Sequence, residues 1–239
     1  MKNLFNLDSE IADTLIERPY PINVGRRQFF FYPPSLGKLI LLSRQTQNLG
    51  INSENLATNH SLEILRVVRE KRDVCCTIIA YHTCKNKEEI ASLKIVHERR
   101  NLISREASEE DLVTIMLRLL AIDKTEYYMK HLGIDVENDN MRKVVDIKSR
   151  TDKNTLTFGG KSLYGSFIYP LLELGMSYNE IVWERSFTNL RLLLADKVNT
   201  MYLSDEEMKK VPASIRHKWQ DVIKATKDNM SEILSMDWH

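Results

Sequence analysis

The chain has 239 residues, 43% of them hydrophobic and 28% charged, which is typical of a folded protein and excludes a wholly disordered one. Its 34 lysines and arginines nearly balance 33 aspartates and glutamates, so the net charge is +1 and no excess of basic residues favours nucleic-acid binding. The N-terminus lacks the pattern of a signal peptide, and no apolar run is long enough to span a membrane. We therefore expect a cytoplasmic protein with no membrane partner.

The N-terminal elements are predicted to be a helix, a hairpin and a second helix. The first residues carry leucine and isoleucine side chains at helical spacing: Leu4, Leu7, Ile11 and Leu15. Between Pro19 and Pro33, two β-prone runs flank Gly25, which predicts a short β-hairpin. Ser35 is placed to cap a helix that continues to Leu49.

Helical patterns continue after a polar stretch, residues 52–59, that predicts a loop. One long helix is predicted from Ser61, and its second half, VCCTIIAY, is apolar on nearly every side, which indicates an enclosed position. Two further helices begin at capping boxes, in which a small polar residue stands three positions before an acidic one: Asn86 with Glu89, and Ser108 with Asp111. A shorter helical piece ends at Gly133.

We predict that the chain divides into three parts. Residues 1–133 form the hairpin and a helical bundle. Residues 134–157 are polar and poor in large apolar side chains, so they form a linker or an exposed excursion. Residues 158–239 form a smaller C-terminal helical unit. The predicted fold class is mainly α, with one short N-terminal hairpin.

The C-terminal part is predicted to begin with a helix, a tight turn and a second helix. Four apolar residues recur on one face of the first helix: Leu163, Phe167, Leu171 and Leu174. Gly175 stands where a left-handed cap is expected, and Ser177 with Glu180 forms a capping box for the second helix, residues 179–196. A last helix is predicted from Pro212 to Leu234.

Catalytic and metal-binding patterns are weak. Cys75, Cys76, His82 and Cys84 cluster in the sequence, but they lack the paired spacing of a zinc site, so we interpret them as core residues. No nucleophile motif is present, and the histidines are scattered. We therefore expect no enzymatic activity, no metal and no cofactor.

Two passages, QFFFYPPSLGKLILLSRQ and VWERSFTNLRLLLAD followed by TMYLSDEE, resemble tail assembly chaperones of Bacteroidetes-type phages and prophages. The resemblance covers Gln28–Gln45 and Gly159–Glu207. It implies a non-enzymatic protein of the bacterial host cytoplasm that binds and solubilises the tape-measure protein, and possibly the tail-tube protein, during virion morphogenesis. The expected contacts are the aromatic and leucine side chains of the C-terminal part: Tyr164, Tyr178, Trp183, Phe187, Leu190 and Leu194.

A DNA-binding regulator is the alternative function, because a helix, a turn and a second helix also describe a helix-turn-helix motif. Its recognition helix would be residues 179–196, which offer Arg185, Asn189 and Arg191 to DNA but also carry several acidic residues. Salt-sensitive binding to duplex DNA would favour this alternative. The sequence does not predict the oligomeric state.

Overall fold

The computed structural model describes residues 2–121, 123–151, 162–197 and 201–220. The prediction of a mainly α protein with one N-terminal hairpin is confirmed. From the N-terminus, the elements are α1 (Lys2–Leu15), β1 (Tyr20–Val24), β2 (Arg27–Phe31), α2 (Leu36–Gln47), α3 (Ser53–Thr58), α4 (His60–Glu70), α5 (Arg72–His82), α6 (Lys87–Ala91), α7 (Leu93–Glu106), α8 (Glu109–Leu120), α9 (Thr125–His131) and α10 (Ile134–Thr151). After the gap come a π-helical turn (Tyr164–Ile168), α11 (Tyr169–Glu173), a second π-helical turn (Glu180–Glu184), α12 (Phe187–Ala195), α13 (Asp205–Lys210) and α14 (Ala213–Gln220).

The hairpin pairs β1 and β2 antiparallel, with Tyr20 opposite Phe31 and Val24 opposite Arg27. Alternation along the strands buries Ile22, Val24 and Phe31 on one face. Gly25 in the turn has a φ of +54° and lies so close to α7 that an added Cβ would be 2.4 Å from the Glu106 carbonyl oxygen. Glycine is required here by both the backbone conformation and the close approach.

The main core lies around α5, which contains the stretch VCCTIIAY that was predicted to be enclosed. Cys75, Cys76, Ile79 and Ala80 are completely buried, which confirms that prediction. Helix α5 packs mainly against α7 and also contacts α2, α4 and α8. The inner face of the hairpin joins the same hydrophobic cluster. A helix enclosed in this way must be apolar around most of its circumference, as its sequence is.

Several stretches differ from their predicted structure, and three of them lie before residue 152. The predicted loop at 52–59 contains α3, because the Asn52 side chain accepts hydrogen bonds from the first backbone N–H groups of that helix. The long helix predicted from Ser61 is interrupted at Lys71, between α4 and α5. The predicted linker contains the 18-residue helix α10.

Helix α10 is explained by charge placement and by one apolar side. Acidic Asp135 and Glu137 lie in its first turn, and basic Lys148 and Arg150 in its last, an arrangement that the helix dipole favours. Val144 packs in a small cluster with Val211 and Ile215, which follow much later in the sequence. The few apolar residues of this stretch are therefore enough to build a helix once tertiary partners are present.

The chain forms two compact units, which is not the predicted grouping. The first combines Met1–Leu132 with Gly159–Lys197, and the second combines Gly133–Phe158 with Val198–His239. The predicted helix at Pro212–Leu234 is described only as far as Gln220, as α14, and its remainder lies outside the described residues. Within the described ranges, no helix is long and apolar enough to cross a membrane.

Candidate partner-binding surface

The segment Ser162–Ala195 holds all six residues expected to contact a partner. Its predicted turn is present, with Gly175 at a φ of +87°. The predicted capping box is also present: the Glu180 N–H donates to Ser177 Oγ at 3.2 Å, and the Ser177 N–H donates to a Glu180 carboxylate oxygen at 2.8 Å. The sequence thus correctly predicts how the second helical piece begins.

The predicted second helix is not continuous. Arg185 is extended, with a ψ of 145°, and Ser186 forms a β-bridge with Ser35. The Phe187 N–H donates to the Pro34 carbonyl at 2.9 Å, and α12 then restarts with Ser186 as its N-cap. Tertiary pairing with the segment before α2 therefore breaks the helix. The DNA-binding alternative requires Arg185 and Arg191 to lie on one recognition helix. In the structure they lie on opposite sides of this break.

One face of the segment is a hydrophobic core shared with α2. Leu171, Ile181 and Leu190 are buried together with Ile168 and with Leu36, the first residue of α2. Phe167 and Phe187 pack at the edge of this cluster with their ring centroids 5.2 Å apart. This face holds the segment against the N-terminal part of the first unit.

Trp183 lies directly against the first turn of α2. A methyl group on Gly37 would lie 2.6 Å from the Trp183 ring, so the tryptophan occupies the space that the missing side chain leaves. Trp183 also packs against the main core, and the Lys87 ammonium lies 5.6 Å from its ring centroid. The half-buried ring therefore connects the segment to α2 and to the main core.

The opposite side of the segment exposes large side chains. Tyr164 is 63% exposed and Tyr178 is 49% exposed. The neighbouring Tyr164 hydroxyl raises the pKa of Tyr178. We call the following six residues the exposed aromatic surface: Leu163, Tyr164, Tyr169, Leu172, Leu174 and Tyr178.

The six expected contact residues therefore have different environments. Tyr164 and Tyr178 are accessible to a partner. Leu190 is 1% exposed and belongs to the core, so its assignment to a partner-binding surface is corrected. Trp183, Phe187 and Leu194 are half-buried and pack against core clusters. Aromatic and leucine side chains at helical spacing are used here mainly for packing inside the chain.

Sequence periodicity also misses part of the exposed surface. Leu163 and Leu174 were predicted on the same apolar face as Leu171, but both are exposed. The π-helical turn Tyr164–Ile168 explains the exposure of Leu163, because its wider turn changes the rotation between residues before and after it. Leu174 lies after the last residue of α11, where the helical pattern has ended. A period of 3.6 residues therefore fails to identify the buried face across this turn.

The cysteine and histidine cluster lies inside the first unit. Cys75, Cys76 and Cys84 are free and buried, and burial raises the pKa of all three thiols. His82 is also buried, and burial, with a smaller effect of the Lys38 charge, lowers its pKa to about 3. Among the described residues, no group of three or more histidine, cysteine or acidic side chains is arranged to hold a metal ion.

Lys38 is an unexpected member of this interior. Its side chain is buried, and its ammonium donates to the Cys84 carbonyl at 2.8 Å. Burial lowers the pKa of Lys38 to about 8. The sequence predicts a helix at this position but not that the lysine points inward, because a lysine in the first turn of a helix is normally exposed.

Comparisons with known proteins do not add a relative. A scan against family models, a search of curated proteins and a search of solved structures each find no match to the chain.

Proposed function

We propose that this chain is a non-enzymatic tail assembly chaperone that binds the tape-measure protein in the bacterial host cytoplasm. The observation that carries the proposal is the exposed aromatic surface. Single exposed apolar residues are common, but several large ones within one short segment are typical of a protein-binding surface. Tyrosine suits such a surface, because it combines a large apolar ring with a hydroxyl that can remain hydrated.

The arrangement of the two passages that resemble tail assembly chaperones supports the same function. Gln28–Gln45 and residues 162–197 of the second passage are far apart in the sequence, yet they belong to the first unit and pack together there. Leu36 lies in one cluster with Leu190, and Gly37 contacts Trp183. Most of the resemblance thus falls on segments that contact each other within the first unit, and the exposed aromatic surface lies on the second of these segments.

A chaperone function gives this surface a clear role. A tape-measure protein that is long, helical and apolar would aggregate before the tail tube assembles around it. Covering its apolar face with tyrosine and leucine side chains would remove that face from water. Displacement by tail-tube subunits would then release the tape-measure protein.

Co-expression with the tape-measure protein of the same phage tests the proposal. We expect the partner to stay soluble and to co-elute with this chain in size-exclusion chromatography, whereas the partner alone is insoluble. The double substitution Tyr164→Ala and Tyr178→Ala is expected to weaken co-elution. Tyr127→Ala is the matched control, because Tyr127 is 56% exposed but lies on α9. Independent elution of the wild-type chain, with no gain in partner solubility, would overturn the proposal.

A further inference from the structure

A separate cavity lies on the first unit, with a volume of about 620 Å³. Its walls come from the end of α1 and the start of β1, from the segment before α2, from α8 and α9, and from the start of α12. A volume of this size is ordinary for a small-molecule site. The exposed aromatic surface contributes no residue to its lining.

The charged groups in the cavity leave one cation without a partner. Glu10 forms an ion pair with Lys124, and Asp13 pairs with Arg18 at 3.1 Å. Arg118 also lines the cavity, and within the described residues its guanidinium forms no ion pair and donates no hydrogen bond. The lining therefore carries one unit of uncompensated positive charge.

Two neutral hydrogen-bond donors belong to the same lining. Tyr20 and Thr188 line the cavity, and in the described part of the chain neither hydroxyl has a hydrogen-bond partner. Burial raises the pKa of Tyr20 to about 12, while the nearby Arg118 charge acts in the opposite direction, so the phenol stays protonated and can donate. A ligand rich in acceptor oxygens would satisfy these two hydroxyls.

The remaining wall is apolar. Pro19, Pro21 and Pro33 line the cavity together with the ring of Tyr128, which is almost fully buried. Proline and tyrosine rings can pack against a flat apolar group without losing many rotamers. The wall therefore suits the body of a ligand whose charged end reaches Arg118.

We propose that this cavity binds a carboxylate attached to an apolar or aromatic group, with the carboxylate held by the Arg118 guanidinium. A planar guanidinium can bind both oxygens of a carboxylate at once. Tyr20 and Thr188 donate to the same anion, and the proline wall packs against its apolar body. The carboxylate belongs either to a free small molecule or to the C-terminus of a protein chain.

Calorimetric titration with N-acetyl-phenylalanine and with its amide tests the charge requirement. The two probes have nearly the same shape, but only the first carries a carboxylate. We expect the acid to bind about tenfold more tightly than the amide, which corresponds to one charge-assisted pair. Equal binding of both probes, or binding of neither, would overturn the proposal.

Substitutions test whether the preference for the acid over the amide arises in the cavity. Arg118→Gln is expected to remove the preference for the acid over the amide, and Tyr20→Phe to weaken acid binding by a smaller factor. Arg26→Gln is the matched control, because Arg26 is exposed in the hairpin turn and does not line the cavity. Unchanged acid binding by Arg118→Gln would contradict the assignment. Thermal unfolding of each variant checks that the fold is intact, since Arg118 is exposed and its replacement should not destabilise the chain.

The source of the carboxylate is tested with the peptide Gly-Gly-Phe, which ends in a free carboxylate. Tighter binding of the peptide than of N-acetyl-phenylalanine supports recognition of a chain end. Weaker binding of the peptide supports a free small molecule. The result does not depend on the chaperone proposal, because these probes need no tape-measure protein and the double tyrosine variant leaves the cavity lining unchanged.

Discussion

Helix α5 and the segment Ser162–Ala195 are both rich in apolar residues, but they use them differently. Helix α5 is enclosed by several helices, and its apolar residues stabilise the fold. The segment buries Leu171 and Leu190 on one side and exposes tyrosines on the other. Apolar composition alone therefore does not separate a core helix from a binding surface. The number of elements that pack around a helix makes the difference.

The largest effects on stability are expected for the buried side chains, which have the same role in both regions. Ile79 in α5 and Leu190 in α12 are both almost completely inaccessible. Ile79→Ala and Leu190→Ala should each lower the free energy of unfolding by about 2–5 kcal/mol, because each leaves a cavity in a packed cluster. Urea unfolding measures this change.

The control for these two variants is an exposed leucine. Leu62 lies on α4 and is largely exposed, so Leu62→Ala should change stability by less than about 0.5 kcal/mol. If Leu190→Ala changed the free energy of unfolding as little as Leu62→Ala, then Leu190 would not be a core residue. It would again be a candidate for partner binding.

A second effect concerns the lysine buried beside the end of α5. The pKa of Lys38 falls from 10.5 to about 8, so between these values the folded chain has released a proton that the unfolded chain still holds. Stability therefore rises with pH across this window, and the cost of the buried ammonium is fully present below pH 8. Relative to Lys38→Met, we expect the wild type to gain about 2 kcal/mol between pH 7.5 and pH 10.

Urea unfolding of both proteins at the two pH values measures this difference. Tyr20 and the Cys75 and Cys76 thiols also titrate at high pH, but they are present in both proteins and cancel in the comparison. Lys38→Met also removes the hydrogen bond to the Cys84 carbonyl, which shifts stability equally at both pH values. A pH-independent difference between the two proteins would contradict a buried ammonium.

Local signals in the sequence predict local structure well here. The capping boxes at Ser108 and Ser177 start helices as expected, and Gly25 and Gly175 adopt positive φ values in turns. These features depend on hydrogen bonds and backbone conformations within a few residues. The fold class could be predicted from these capping boxes and glycines, because each of them marks where a helix or strand begins or ends.

Features that depend on distant contacts were not predictable in the same way. The break before α12 requires Ser35 to pair with Ser186, and the burial of Lys38 requires the Cys84 carbonyl to lie opposite it. The phase change at Tyr164–Ile168 hides which side of that helix faces the core. Two of the six residues of the exposed aromatic surface, Tyr164 and Tyr178, could be selected from residue type alone, but their exposure could not.

The contact between the segment and α2 gives a smaller effect. Gly37→Ala places a methyl group 2.6 Å from the Trp183 ring, and the ring must move. Overpacking typically destabilises by about 1–3 kcal/mol, while alanine gains up to about 1 kcal/mol in helix propensity, so we expect a net loss of about 1–2 kcal/mol. Unfolding followed by tryptophan fluorescence measures it.

A double substitution decides whether the tryptophan causes that loss. Once Trp183→Leu has removed the ring, Gly37→Ala should be neutral or slightly stabilising, because only the gain in helix propensity remains. The same loss in both backgrounds would place the clash elsewhere and would weaken the role of Trp183 as the link between the segment and α2.

The smallest effect on stability is expected on the exposed side of the segment. Tyr164→Ala and Tyr178→Ala remove exposed rings, so each should change the free energy of unfolding by less than about 0.5 kcal/mol. Their effect on partner binding should nevertheless exceed that of Leu190→Ala measured at a temperature where that variant is folded. If partner binding were lost only in proportion to the loss of stability, the tyrosines would pack within the chain and would not contact the partner. Helix α5 and the segment would then not differ in their roles. Stable tyrosine variants that no longer co-elute with the tape-measure protein would instead locate the contact on the exposed aromatic surface.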